Sequence, residues 1–191
     1  MEAAAFLGLV RQARSYRRFK ESDPIPADLV RSLVDLARIV PSAANLQPLR
    51  YRLVTTAEEC AKVFPLTKWA GALREWSGPQ PGERPTGYIA ICTDKARPSP
   101  TDVGIAAYAI QLGAAAAGYG ACMLGAIDRP RLVLALAIPD AYDIHLLIAL
   151  GRPGETIVLE DLAPTAANTN YYRTADNIHH VPKRRLKDVL L

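Results

Sequence analysis

The chain has 191 residues, half of them hydrophobic, and a net charge of +4. That length supports one substantial core over residues 1–191 and does not demand a second domain. The three cysteines, Cys60, Cys92 and Cys122, are odd in number and form no CxxC pair, so a disulfide framework and a zinc site lack support and a reducing, cytoplasmic setting is expected.

The opening MEAAAFLGLV has no basic start of a signal peptide, so secretion is not expected. Positive charge gathers at the two ends: Arg11, Arg14, Arg17, Arg18 and Lys20 in one cluster, Lys183, Arg184, Arg185 and Lys187 in the other. The middle is close to neutral, which suits an anionic small ligand better than a long polyanion. A nucleic-acid-binding module is the competing class. Only Tyr16 and Phe19 interleave with the basic residues, so no nucleic-acid partner is expected.

After Pro24 and Pro26, the residues Leu29, Leu33, Leu36, Ala37 and Val40 recur at helical spacing opposite Arg31, Asp35 and Arg38, predicting an amphipathic helix that stops near Pro41. A polar turn, PSAANLQP, leads into a half-exposed strand from Leu49 to Thr55. One or two short helices are expected over 57–76, then a mobile loop, GPQPGERPTG. Tyr88 to Thr93 is continuously apolar and belongs in the middle of a sheet. Thr101 is expected to cap a long small-residue helix ended by Gly118 and Gly120; from Val103 to Tyr119 it is too short for a confident membrane span, and no membrane partner is expected. ACMLGAI reads as a buried strand, Asp128 as the cap of a helix through Leu136, and Ile144 to Leu150 as the last clear strand. Residues 161–180 show no convincing periodicity.

No strand is followed by GxGxxG or GxxxxGK[ST], so a bound phosphate would have to be held by side chains. In RSxR, Arg14, Ser15 and Arg17 offer two guanidinium forks and a hydroxyl; a solvated basic face has the same pattern. In PSAANLQP, Ser42, Asn45 and Gln47 present a hydroxyl and two uncharged amides suited to the edge of a heteroaromatic ring, or simply an ordinary polar loop. His145, inside an apolar strand, reads as a satisfied sheet histidine.

In order and spacing, RSYRRF at 14–19, PSAANLQP at 41–48, DVGIAAYAIQLGAAAAGYGACMLG at 102–125, GRPGE at 151–155 and PKRRL at 182–186 resemble the FMN-dependent nitroreductase family, over nearly the whole chain. The resemblance implies an α+β fold: a central, mostly antiparallel sheet flanked by helices, in an intertwined homodimer with an extended C-terminal arm over 161–191. It implies FMN as cofactor and NAD(P)H as electron donor. By the same resemblance, Arg14, Ser15, Arg17, Lys183 and Arg185 hold the phosphate and ribityl chain. Pro41, Ser42, Ala43 and Asn45, with Gln47 nearby, reach the flavin from the other subunit, Leu124 adjoins the cofactor, and Gly125 and Ala126 direct a backbone N–H toward flavin N5. Arg11, Arg18, Lys20, Arg184 and Lys187 are left as solvent-facing charges. The flavin carries the redox chemistry, so no catalytic triad is required. The implied activity is electron transfer from NAD(P)H to a small electron-poor acceptor, a nitroaromatic or a quinone, with ping-pong kinetics. The alternatives are a dehalogenase or dehydrogenase of the same family, or a non-catalytic flavin-binding protein. The stretch from Trp69 to Gly87 is short for the helical excursion that shapes the substrate pocket in many members. Tyr171, Tyr172, His179 and His180 are expected to pack as an arm over the partner or to line the flavin edge.

Overall fold

The computed structural model describes residues 2–163 and 165–191. Its centre is a four-stranded, wholly antiparallel sheet made of β1 (Leu49–Val54), β2 (Gly87–Asp94), β3 (Gly120–Leu124) and β4 (Tyr142–Gly151), in the order β1-β2-β4-β3. Helices cover both faces, so the two inner strands are apolar on both sides. From β2, Tyr88, Ala90 and Cys92 point to one face, and Ile89 and Ile91 to the other.

On one face, α2 (Ala27–Arg38) and α4 (Pro100–Ala116) pack on the sheet through Val30, Leu33, Ala37, Ala106, Ala107 and Ile110. On the other lie α3 (Ala57–Val63) and α5 (Arg129–Ala135), contributing Cys60, Val63 and Leu132. A first helix, α1 (Ala3–Gln12), lies against α4 and has no buried residue. Thr56 caps α3 by accepting the Glu59 N–H, and Asp128 caps α5 through the Arg131 N–H as expected. No described helix is long and apolar enough to cross a membrane.

The structure differs from the sequence expectations at several points. Thr101 lies inside α4 and Ser99 takes the cap position, because Pro100 fits the first helical turn where no N–H is needed. Of the one or two short helices expected over 57–76, the structure forms α3 to Val63 and one tight turn at Phe64–Leu66; Pro65 and the left-handed Ala70 (φ 44°) then divert the chain, and no helix follows to residue 76. Leu36 is 39% exposed rather than in the core. The loop expected to be mobile is tied down: Phe19 N–H donates to Glu83 O (2.9 Å) and Glu21 N–H to Gly82 O (3.1 Å).

The apparently irregular tail builds a second sheet from β5 (Ile157–Asp161), β6 (Tyr172–Arg173) and β7 (His179–Lys183), in the order β5-β7-β6. Strands of two to five residues are too short to show alternation in sequence. Ser15 bridges Ala121 in parallel, so the first basic segment lies along the free edge of β3.

Candidate functional site

The basic segment is fixed before its side chains act. Tyr16 N–H donates to Ala121 O (3.0 Å), and the Gln111 side chain, buried in α4, donates to Ala13 O (2.8 Å). Arg14 is thereby held at the start of β3. Its Nε is buried and has no hydrogen-bond partner. Lys183, at the end of β7, lies close enough that burial, followed by repulsion from Arg14, lowers its pKa. Among the described residues neither cation forms a salt bridge. The fold thus brings one residue of each terminal cluster together in a place that calls for an anion.

Arg17 and Arg185 are engaged elsewhere. The Arg17 guanidinium donates to Ser15 O (3.1 Å), meets His179 Nε2 at 3.1 Å and lies 4.4 Å over the Tyr171 ring. Arg185 forms a fork with Asp188 (2.9 and 3.4 Å), which raises its pKa. Of the charges expected to face solvent, Arg18 is half-buried and bonds Asn177 Oδ1 (2.9 Å), while Arg11 lines a groove of about 510 Å³ with Lys183, Ile157, Leu159 and the carboxylates Glu160 and Asp161.

At the other end of β3, Leu124 is buried, and Gly125 and Ala126 are exposed. Ala126 O accepts from Lys68 N–H (2.9 Å), and Asp128 N–H donates to Leu66 O (2.9 Å), so the 125–128 turn is pinned to 66–68. A Cβ added to Gly125 would meet no atom within 4 Å. From Ala121 to Gly125 the strand runs roughly 13 Å at about 3.3 Å per residue.

The 41–48 loop lies apart. Ser42 Oγ donates to Asp102 Oδ2 (2.7 Å), Ala43 N–H to Oδ1 (3.3 Å), and Gln47 N–H to Ser42 Oγ (3.0 Å). The Ser42 bond, ahead of the opposing effect of burial, lowers the pKa of Asp102. Ala44, Asn45 and Gln47 have positive φ (47°, 55° and 47°), and Asn45 and Gln47 are exposed with their side chains bonded to each other (3.1 Å). Pro41, Ser42 and Gln47 line a cavity of about 570 Å³ with Val34, Tyr51 and Asp102. Asp102 precedes Gln111 by nine residues on α4, so the loop and the Arg14 segment are anchored roughly 13 Å apart along that helix at about 1.5 Å per residue.

Sequence reasoning missed the residue joining the two terminal segments. Glu155, the last residue of GRPGE, accepts both the Arg17 and Arg18 N–H groups on Oε1 and bonds Arg173 through Oε2 (2.8 Å), with its side chain 1% exposed. Beside it His179 is wholly buried. Its Nε2 takes the Arg17 N–H and its Nδ1 has no partner. Burial, the largest cause, moves its pKa down to about 4. Tyr171 packs at a tilt on His179 (5.1 Å between ring centres, 47°) and accepts the Ala72 N–H (3.3 Å), and Tyr172 stacks on His180 (4.7 Å). All four aromatic tail residues therefore pack within their own chain. His145 is half-buried in β4, and its carbonyl accepts from Arg129. The three cysteines are free and buried, their thiols pushed up to about 11 chiefly by burial, which suits packing rather than nucleophilic chemistry.

The sequence model of the nitroreductase family matches residues 10–84 and 93–152. A curated relative from Stenotrophomonas maltophilia, named for NADH dehydrogenase/NAD(P)H nitroreductase, is 42% identical over 65 residues, which is 34% of this chain and 33% of the relative. The match thus spans about a third of that protein. Among solved structures, a nitroreductase-like protein from Streptococcus mutans superposes with TM-score 0.68 at 15% identity, covering 81% of this chain and 91% of the other. An FMN-dependent nitroreductase from Clostridium difficile gives 0.64 at 21%, covering 78% and 88%. An oxidoreductase described as containing FMN gives 0.63 at 23%, covering 96% and 89%. At these identities the structural matches speak for the fold.

Proposed function

The chain belongs to the nitroreductase family, and from that premise we propose that it is an FMN-dependent oxidoreductase passing electrons from NAD(P)H to a small electron-poor acceptor, a nitroaromatic or a quinone. The observation that carries the reading is Arg14, its Nε buried and unpaired, beside Lys183, with neither cation in a salt bridge among the described residues although Asp161 pairs with Lys183 in register. A phosphate monoester answers that arrangement, because it brings two negative charges and several acceptor oxygens. The fit holds at the other end of β3 as well, where the open space beside Gly125 leaves backbone free to meet a ring.

Arg14 and Lys183 would hold the phosphate, with Ser15 beside them. Arg17, braced by His179 and Tyr171, would stiffen the segment that carries Arg14, and Arg185 would brace the C-terminal turn through Asp188. The exposed Gly125–Ala126 turn would meet the ring edge. Bound there, FMN would supply two-electron redox chemistry, with donor and acceptor using one exposed face in turn, hence ping-pong kinetics. Pro41, Ser42, Ala43, Asn45 and Gln47, held by Asp102 on a different part of α4 from the Arg14 anchor, would complete the site from a second copy of the chain. The exposed apolar side chains of Phe6, Leu7, Ile39, Leu46, Ile105 and Tyr108 support that homodimer. Three unpaired cysteines favour a reducing, cytoplasmic setting.

The test is an absorption spectrum of the purified protein before and after addition of NADH or NADPH. Flavin bands that bleach with the nicotinamide and return with a nitroaromatic or quinone support the reading. Folded protein that is colourless and takes up no FMN removes it. Bands that never bleach leave a binding protein and remove the enzyme.

A further inference from the structure

Between α3 and the 82–86 loop lies a cavity of about 240 Å³ that shares no residue with the proposed cofactor site. Arg84 lines it. Its guanidinium lies 4.5 Å over the face of Phe64, and its Nε is buried without an acceptor. Stacking occupies the face of a guanidinium and leaves its hydrogen-bonding edge free. Among the described residues Arg84 forms no ion pair, although Glu21 lines the same cavity. The Glu21 carboxylate is instead used by backbone, accepting the N–H groups of Gly82 (2.6 Å) and Arg84 (3.4 Å).

Thr86, on the same wall, is a further donor. Thr86 Oγ1 accepts the Ile25 N–H (3.0 Å), which leaves its own proton to give. Outside the cavity lining, the Tyr88 hydroxyl is wholly buried and unpartnered. A charged donor left unpaired in a concave, half-apolar pocket is the signature of a missing acidic ligand. The size of the cavity and the charge of Glu21 both work against a dianion. Phe64 and Ala61 offer an apolar wall.

We propose that this cavity is a second ligand site, which takes a short monocarboxylate with its carboxylate on the edge of Arg84 and its alkyl body against Phe64 and Ala61. The site neither uses nor depends on the flavin assignment. Its test is a titration of the purified full-length protein with butyrate, followed by amide chemical shifts. Saturable shifts at Cys60, Arg84 and Thr86 are expected. Arg84→Gln should weaken the apparent affinity by about tenfold or more, the effect of losing charge-assisted hydrogen bonds. Ala61→Phe, which fills the cavity and leaves Arg84 in place, should abolish the shifts, so the site stays testable if Arg84→Gln folds poorly. The absence of saturable shifts in the wild type would overturn the proposal. So would unchanged binding in either folded variant, or inorganic phosphate giving the same shifts at equal concentration.

Discussion

Nothing in the fold of this chain requires glycine at position 125: an added Cβ meets no atom within 4 Å, and the backbone is not in the left-handed region. Gly154 is the opposite case, where a Cβ would lie 2.8 Å from the Phe19 backbone. Gly125→Val is therefore expected to change unfolding free energy by no more than about 0.5 kcal/mol, as for an open surface position, while FMN affinity measured by fluorescence titration falls. Equal affinity would remove the turn from the cofactor site. His179 carries a pH prediction. Its pKa is about 4 in the folded chain against an ordinary 6.5, with burial the leading cause, Glu155 opposing, and Arg17, Arg173 and His180 adding. Between these values the unfolded chain holds a proton that the folded chain refuses. Stability from this group is complete above pH 6.5 and declines as pH falls toward 4, with a limiting slope of about 1.4 kcal/mol per pH unit. In urea melts from pH 7 to 4, His179→Gln should flatten the decline relative to wild type; parallel curves would mean that His179 does not titrate this way.

Glu155 belongs to the scale of elements, because it fastens the 14–18 segment to the β5-β7-β6 sheet. One oxygen takes two backbone N–H groups and the other the Arg173 guanidinium, which also lies 4.6 Å over Trp76. Replacing one partner of such a buried pair leaves the other charge uncompensated, at a typical cost of 3–5 kcal/mol. Glu155→Gln should therefore lower stability by roughly that amount, with amide exchange rising first across 157–183. Protection lost evenly over the whole chain would argue against a local fastening. The main sheet was legible in sequence because Tyr88 to Thr93 and Ile144 to Leu150 are long apolar runs whose hydrophobicity alone places them centrally. The tail sheet was not, since β6 has two residues and pairs with β7 only at Tyr172–His180 and Arg173–His179, too short a ladder to leave a pattern in sequence. The pairing of Arg14 with Lys183 could be anticipated from charge clusters at both ends. That Arg17 turns to His179 and Arg185 to Asp188 could not, because guanidinium direction depends on tertiary partners that composition does not reveal.

At the scale of the molecule, the two halves of the proposed site lie on different parts of α4: Gln111 secures the Arg14 segment and Asp102 secures the 41–48 loop. In the proposed homodimer a second copy would bring such a loop to such a clamp. The surface agrees, since α1 buries none of its residues, and Phe6 and Leu7, each 49% exposed, share the outer surface with Ile39 and Tyr108. An isolated ten-residue helix is marginal in water, and one whose apolar side chains stay half-wet gains little from its own chain, so α1 should gain its main support across the dimer. Phe6→Glu tests this with little cost to the single chain, where the side chain is already half-exposed. The expected result is a drop in light-scattering mass from two chains to one, accompanied by loss of bound FMN and greater amide exchange in α1 and in 41–48. Flavin content should return as protein concentration is raised, because assembly and cofactor binding are linked by mass action. A variant that is monomeric and still holds FMN at wild-type affinity would show that the site is complete within one chain.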